Sequence, residues 1–183
     1  MFFLFGCAQR TRGYQETFQP ILQFMDYKPG MAFADVGAGD GEHTIQMATL
    51  MTNSAVYVQD IDTMTLNERK ISKVIDIYSK QTKRDLRTAN TFKITIGDIS
   101  HTNLPSSTFD LIYSNATVHN FISIDSILTD LGRKLKPGGV IYFRDSFKGD
   151  HNEGPICSDP KCARPLLTID EFLVIMKRMD SKR

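Results

Sequence analysis

Asp35-Val36-Gly37-Ala38-Gly39-Asp40-Gly41 closes a short apolar run and opens a stretch of helical character. In an open α/β sheet, ligands bind outside the carboxyl ends of the strands, and a glycine turn lets the backbone approach them closely. A dinucleotide fingerprint, G-x-G-x-x-G, would place its third glycine at position 42, but that residue is Glu42 and the glycine falls at Gly41. Asp35, Asp40 and Glu42 crowd the same turn. A pyrophosphate would meet like charge there, which a helix N-terminus only partly offsets, whereas a cationic ligand would be favoured.

On either side of this turn, five segments have the β-branched and aromatic character of buried parallel strands: Met31 to Val36, Ala55 to Gln59, Phe92 to Ile96, Phe109 to Ser114 and Val140 to Arg144. Helical spacing of apolar residues separates them, over Glu42 to Met51, Leu66 to Tyr78 and Ser123 to Leu135. Further helices are expected from Tyr14 to Tyr27 and from Ile169 to Met179, and Lys136-Pro137-Gly138-Gly139 reads as a turn into the fifth strand. This alternation, with right-handed crossovers, predicts an α/β fold with a Rossmann-like, doubly wound and mostly parallel sheet.

Acids follow the second and third strands as well. Asp60 stands 19 positions after Gly41, near the ~20-residue spacing at which a carboxylate can accept ribose hydroxyls, and is favoured over Asp62. Asp98, in Gly97-Asp98-Ile99, could accept the exocyclic amine of adenine while Ile99 packs against the ring. Singly, each acid is as readily a cap or turn residue. Together with the glycine turn they point to one nucleoside-like, positively charged ligand.

The 183 residues, 41% hydrophobic and 23% charged, suit one domain, residues 14 to 183, preceded by an apolar segment from 1 to 13. A net charge of +1 gives no reason to expect a nucleic acid partner, and the densest basic stretch, Lys80, Lys83, Arg84 and Arg87, reads as a solvated helix end. No apolar run approaches the ~18 residues of a membrane span. Met1 to Cys7 resembles the tail of a lipoprotein signal but lacks the positively charged start and the full ~7–15-residue apolar core, so a cytoplasmic location is expected with a lipid anchor through Cys7 as the alternative. Cys157 and Cys162 could form a disulfide outside the cytosol or part of a metal site inside it, but with His151 as a third ligand no fourth is obvious, so free thiols and no metal site are expected.

Taken in order, these motifs resemble the class I S-adenosylmethionine-dependent methyltransferases of small-molecule type. The resemblance runs over residues 14 to 147: Lys28-Pro29-Gly30-Met31, the glycine motif, Asp60, Gly97-Asp98-Ile99, Phe109-Asp110-Leu111-Ile112 and Leu135-Lys136-Pro137-Gly138-Gly139. It implies S-adenosylmethionine as cofactor. Asp35 and the backbone of Gly37, Ala38, Gly39 and Gly41 would hold its methionine end, Asp60 and neighbouring Ile61 its ribose, and Asp98 and Ile99 its adenine, with Ser114 and Asn115 bordering the methyl group. The Asn-Pro-Pro-aromatic or Asp-Pro-Pro-aromatic motif that DNA amino methyltransferases place there is absent, which weighs against a base amine as acceptor.

In such enzymes the sheet usually ends with an antiparallel strand pair, and none is apparent before Arg183. Either the chain is truncated, or the sheet edge is left exposed or finished by another subunit, which keeps a homo-oligomer open. The activity implied is in-line methyl transfer to a small molecule, with His119 as the best-placed base. His43 is expected to touch the cofactor or cap structure, Tyr14 to close over the methionine end, and the loop from Phe147 to Pro165 to serve as a substrate lid or a plain connector. The alternatives are a cofactor-binding module with little or no turnover and, less favoured, a protein or RNA methyltransferase; a nicotinamide oxidoreductase is disfavoured.

Overall fold

The computed structural model describes residues 6–149 and 166–180. In chain order the elements are α1 (Gly6–Phe24), β1 (Ala32–Val36), α2 (Glu42–Ala48), β2 (Ala55–Asp60), α3 (Glu68–Thr82), α4 (Leu86–Ala89), β3 (Thr91–Ile96), β4 (Phe109–Asn115), a 3-10 turn (Val118–Asn120), α5 (Ile124–Lys134), β5 (Leu135–Arg144) and α6 (Ile169–Asp180). The five strands form one parallel sheet in the order β3-β2-β1-β4-β5. The chain winds outward from β1 through β2 to β3, then crosses back to β4 beside β1. The order therefore reverses between β1 and β4, and the glycine turn leaves β1 at that switch point.

Strands covered on both faces read as unbroken apolar runs, and adjacent residues of β1 show why. Phe33 faces one layer, where it packs with Phe18 and Leu22 of α1, Met25 just after it and Met47 of α2. Ala34 faces the other, where it meets Ile127, Leu128 and Leu131 of α5 and Phe172 of α6. Ile71, Ile75 and Tyr78 of α3 extend the first layer over Val58 of β2. Asn67 starts α3 by accepting from the Lys70 amide, and Lys83 ends it in the left-handed region at φ 53°.

The structure departs from the sequence expectations at four places. Lys136-Pro137-Gly138-Gly139 lies within β5 as a bulge and makes no separate turn: Phe109 pairs with Leu135 but Leu111 with Val140. A Cβ on Gly139 would sit 2.6 Å from the Phe109 carbonyl oxygen, so only glycine lets β5 rejoin β4 there. Asp110 secures the same corner, its Oδ2 accepting from the Ala32 amide at 2.7 Å and from Lys136 Nζ at 2.7 Å. The first helix begins well before Tyr14, and the short α4, capped by Asp85, had no periodicity to announce it. The basic stretch is only partly a solvated face. Arg84 donates to the Thr49 and Met51 carbonyls at the end of α2, at 2.7 and 2.6 Å, and Arg87 pairs with Asp76.

All five strands are parallel, and among the described residues no helix is long and apolar enough to cross a membrane.

Candidate cofactor site

The three glycines of the turn all have positive φ, 74°, 59° and 75°, but each answers a different neighbour. A Cβ on Gly37 would lie 2.0 Å from Thr117 Cγ2, and one on Gly41 2.3 Å from Ile71 Cδ1, so these two let the segment after β4 and α3 pack close. A Cβ on Gly39 would meet nothing within 4 Å. Gly39 is where the turn faces open space.

The amides of the turn are already committed. Gly37 and Ala38 donate to the Gln59 carbonyl, both at 2.9 Å, Gly41 donates to the Ala38 carbonyl at 2.9 Å, and Gly39 donates to Asp60 Oδ2 at 2.8 Å. The Glu42 amide donates to Asp40 Oδ1 at 3.0 Å. A pyrophosphate needs such donors free, so the turn is unsuited to it on hydrogen bonding as well as on charge.

Two cavities open at the carboxyl ends of the strands. The larger, about 300 Å³, is lined by Gly37 and Gly39, by Asp60 and Ile61 at the end of β2, by Asp98 and Ile99 after β3, and by Asn115 to Thr117 and Asn120 to Ile122 at and beyond the end of β4. The smaller, about 110 Å³, is lined by Asp35, Ala38, Tyr113 and Arg144, by His43 of α2 and by Thr17 and Phe18 of α1. Gly37 and Asn115 belong to both.

Within the larger cavity Asp60 has a second task. Besides Gly39 it holds its own corner, Oδ1 accepting from the Ile61 and Asp62 amides at 2.7 and 3.0 Å. Asp98 likewise shapes its loop: the Ser100 amide, Ser100 Oγ and the His101 amide all donate to its Oδ1, and these bonds, the Ser100 amide foremost, hold its carboxyl below the usual range. Ile61, Ile99 and Ile122 stand 50%, 50% and 61% exposed on the walls. Apolar side chains left bare around a hollow with acids at its rim suit a flat, partly polar ligand.

Asp35 is different. It is 4% exposed, with Thr44 Oγ1 donating to its Oδ2 at 2.5 Å. Burial pushes its pKa from the ordinary 3.8 up to about 6, the Thr44 bond opposing and the Asp60 charge adding to the rise. Burial, and then the Asp35 charge, also raise the Tyr113 hydroxyl beside it.

Of the residues expected in the site, Asp35, Gly37, Ala38, Gly39, Asp60, Ile61, Asp98, Ile99 and Asn115 line one cavity or the other. Gly41 lines neither, because it is spent on packing against α3. Ser114 lines neither: it alternates to the face opposite Asn115, where it is fully buried with no partner for its hydroxyl. His119 lines neither cavity, but its Nδ1 lies 2.7 Å from Oδ1 of Asp145, whose side chain is 1% exposed. Tyr14 packs edge-on against Tyr78 and lines neither cavity, whereas Thr17 and Phe18, one turn further along α1, line the smaller one. Sequence reasoning passed over Arg144 and Asp145, although two charged residues at the carboxyl end of a strand were a visible signal. Phe121 and Ile122 gave none, since apolar residues before a helix read as packing. Cys157, Cys162, His151 and nearly all of the proposed lid lie outside the described residues, as does the side chain of Cys7. Among the described residues no group of three or more His, Cys, Asp or Glu could hold a metal ion.

A family model for the methyltransferase domain matches residues 34–143, from the middle of β1 to the penultimate residue of β5. The chain belongs to this family. Phosphoethanolamine N-methyltransferase 3 of Arabidopsis thaliana is 27% identical over 175 residues, covering 96% of this chain and 30% of that relative. Malonyl-[acyl-carrier protein] O-methyltransferase of Yersinia pestis is 26% identical over 139 residues, covering 76% of this chain and 45% of the relative. The methyltransferase domain thus spans less than half the length of either. Its fold is that of a SAM dependent methyltransferase from Aquifex aeolicus, with a TM-score of 0.63 at 20% identity, covering 98% of this chain and 88% of that one. The family and fold expected from the motifs are those found, and S-adenosylmethionine is the cofactor that goes with them.

Proposed function

We propose that this domain transfers a methyl group from S-adenosylmethionine to a small-molecule acceptor, with the adenosine in the larger cavity, the methionine end in the smaller, and the transferred methyl near Asn115, where they meet. The observation that carries this reading is the pairing of two adjoining cavities, one walled by bare isoleucines and two acids, the other built around a buried carboxylate short of counter-charge. When bound, S-adenosylmethionine supplies an electrophilic methyl on a sulfonium whose charge disappears on transfer.

The protein's part is alignment and proton removal. Asp60 accepts ribose hydroxyls with the carboxylate that also fixes Gly39, and Asp98 accepts the adenine amine while Ile61 and Ile99 flank the ring. Asp35 accepts the α-ammonium. Holding donor and acceptor in line is the larger share of the acceleration. His119 removes the proton of an amine or hydroxyl acceptor. With its Nδ1 proton held by Asp145, Nε2 is left as the accepting nitrogen. Asp145 follows Arg144, which pairs with Asn115 across β4 and β5, so the dyad borders the junction of the cavities. Ser114 and Gly41 have no direct contact in this reading. The two named relatives act on a phosphorylated amine and on a malonyl group; the amine has a proton for such a base to remove, whereas a carboxylate acceptor is already ionised and would need alignment alone.

Calorimetric titration with S-adenosylmethionine, S-adenosylhomocysteine and NAD, followed by product assays on amine, hydroxyl and thiol acceptors, tests the reading. Binding of the first two but not NAD, with turnover that His119→Ala lowers by about 100-fold while leaving affinity intact, is expected. Binding without product from any acceptor would favour a binding module instead. Normal turnover by His119→Ala would remove the base.

A further inference from the structure

β1, β4 and β5 present Asp35, Tyr113 and Arg144 on one face of the sheet, the face covered by α1 and α2. All three line the smaller cavity. Asp35 and Arg144 are opposite charges that share a small hollow, yet among the described residues no ion pair joins them. The Arg144 guanidinium instead acts on the neighbouring Tyr113 hydroxyl, opposing the rise that burial gives it, and Tyr113 belongs to β4, the strand between the two that carry the charges. A cavity with a carboxylate on one wall and a guanidinium on another is complementary to a zwitterion whose ammonium and carboxylate are one carbon apart.

We propose that Arg144 recognises the α-carboxylate at the methionine end of the cofactor, opposite the ammonium held by Asp35, and so makes this domain selective for ligands that keep the whole amino-acid head. This rests on the adenosine having been placed in the larger cavity. The guanidinium is the right group for the task because its planar fork matches a carboxylate and its charge does not depend on pH in the working range. Tyr113 lies beside the fork. Phe18 and Thr17 of α1 close the same hollow and shield the pair from water, which strengthens a charged hydrogen bond over its value at an open surface. His43, with its ring 6.0 Å from that of Phe18, completes the wall on the α2 side.

The test is calorimetric, so it does not depend on an acceptor. Wild-type protein and Arg144→Gln are titrated with S-adenosylhomocysteine, its decarboxylated analogue, and 5′-methylthioadenosine, which lacks the amino-acid head altogether. Wild type should prefer S-adenosylhomocysteine over the decarboxylated analogue by about 10- to 100-fold, the range for a hydrogen bond to a charged group. In Arg144→Gln that preference should collapse to within a few-fold, with affinity for the decarboxylated analogue and for 5′-methylthioadenosine unchanged. Arg144→Lys, which keeps charge but not the fork, should recover part of it. An equal loss for all three ligands in Arg144→Gln would mean a structural role through Tyr113, and an undiminished preference would mean that something else reads the carboxylate. Either result overturns the proposal while leaving the adenosine site standing. Failure of folded wild type to bind any of the three would overturn the adenosine placement itself.

Discussion

The two cavities are built on opposite principles. The larger one is assembled from strand ends that are each settled locally: Asp60 holds the amides next to it, and Asp98 holds Ser100 and His101, so both carboxylates are stable before any ligand arrives. The smaller one gathers Thr17, Asp35, His43 and Arg144 from four separate elements around a carboxylate that burial has left short of compensation. A locally satisfied acid costs the fold nothing and contributes modestly to binding. A buried acid short of counter-charge costs stability in the empty protein and returns it when a cation binds, which is how selectivity for charge is stored in a site.

The largest expected effect tests that contrast at its extreme. Asp35→Asn removes the charge but can still accept from Thr44. It should weaken S-adenosylmethionine by 100-fold or more while leaving 5′-methylthioadenosine within a few-fold. The same substitution should stabilise the ligand-free domain, and the sign follows from linkage. The folded-state pKa of Asp35, about 6, lies above its ordinary 3.8, so the folded protein holds the extra proton. Its penalty is absent below pH 4, builds between 4 and 6 and is complete above 6, on the order of 3 kcal/mol. Urea unfolding at pH 5 and pH 8 should show the gain from Asp35→Asn growing with pH; a gain independent of pH would show that the carboxylate is not under strain. Over the same interval wild-type affinity for S-adenosylmethionine should rise with pH, with Asp60, His43, Tyr113 and Arg144 as the other charged or titratable groups around Asp35.

Asp60→Ala comes second, at about 10-fold, and should weaken S-adenosylmethionine and 5′-methylthioadenosine alike, since it loses ribose contacts and frees Gly39 together. Affinity unaltered by calorimetry would remove the ribose assignment. The smallest effect belongs to Asp98→Asn. It can keep the turn through its side-chain oxygen, and a loss of only two- to five-fold for every adenosyl ligand is expected. A loss as large as that of Asp35→Asn would erase the distinction between the cavities.

Much of the fold could be read from periodicity because parallel strands buried on both faces must be apolar, and helices must carry a stripe. The bulge in β5 could not, since Lys136 to Gly139 reads as a turn in isolation and becomes part of a strand only against Phe109. Ser114 was misplaced for a related reason. Its neighbour Asn115 does face the cavities, and alternation along β4 then turns Ser114 the other way.

The sequence by itself determined the α/β class, the glycine turn and the acids at the ends of β1, β2 and β3, because each is a local pattern whose spacing is imposed by a strand, a turn or a helix. Only the tertiary structure decided that His119 meets Asp145 across 26 positions, that Arg144 shares a hollow with Asp35, and that α1 closes it with Thr17 and Phe18. The strand order β3-β2-β1-β4-β5 brings those residues together. No periodicity records which strand will lie beside which, so contacts between distant strand ends become visible only once the sheet is assembled.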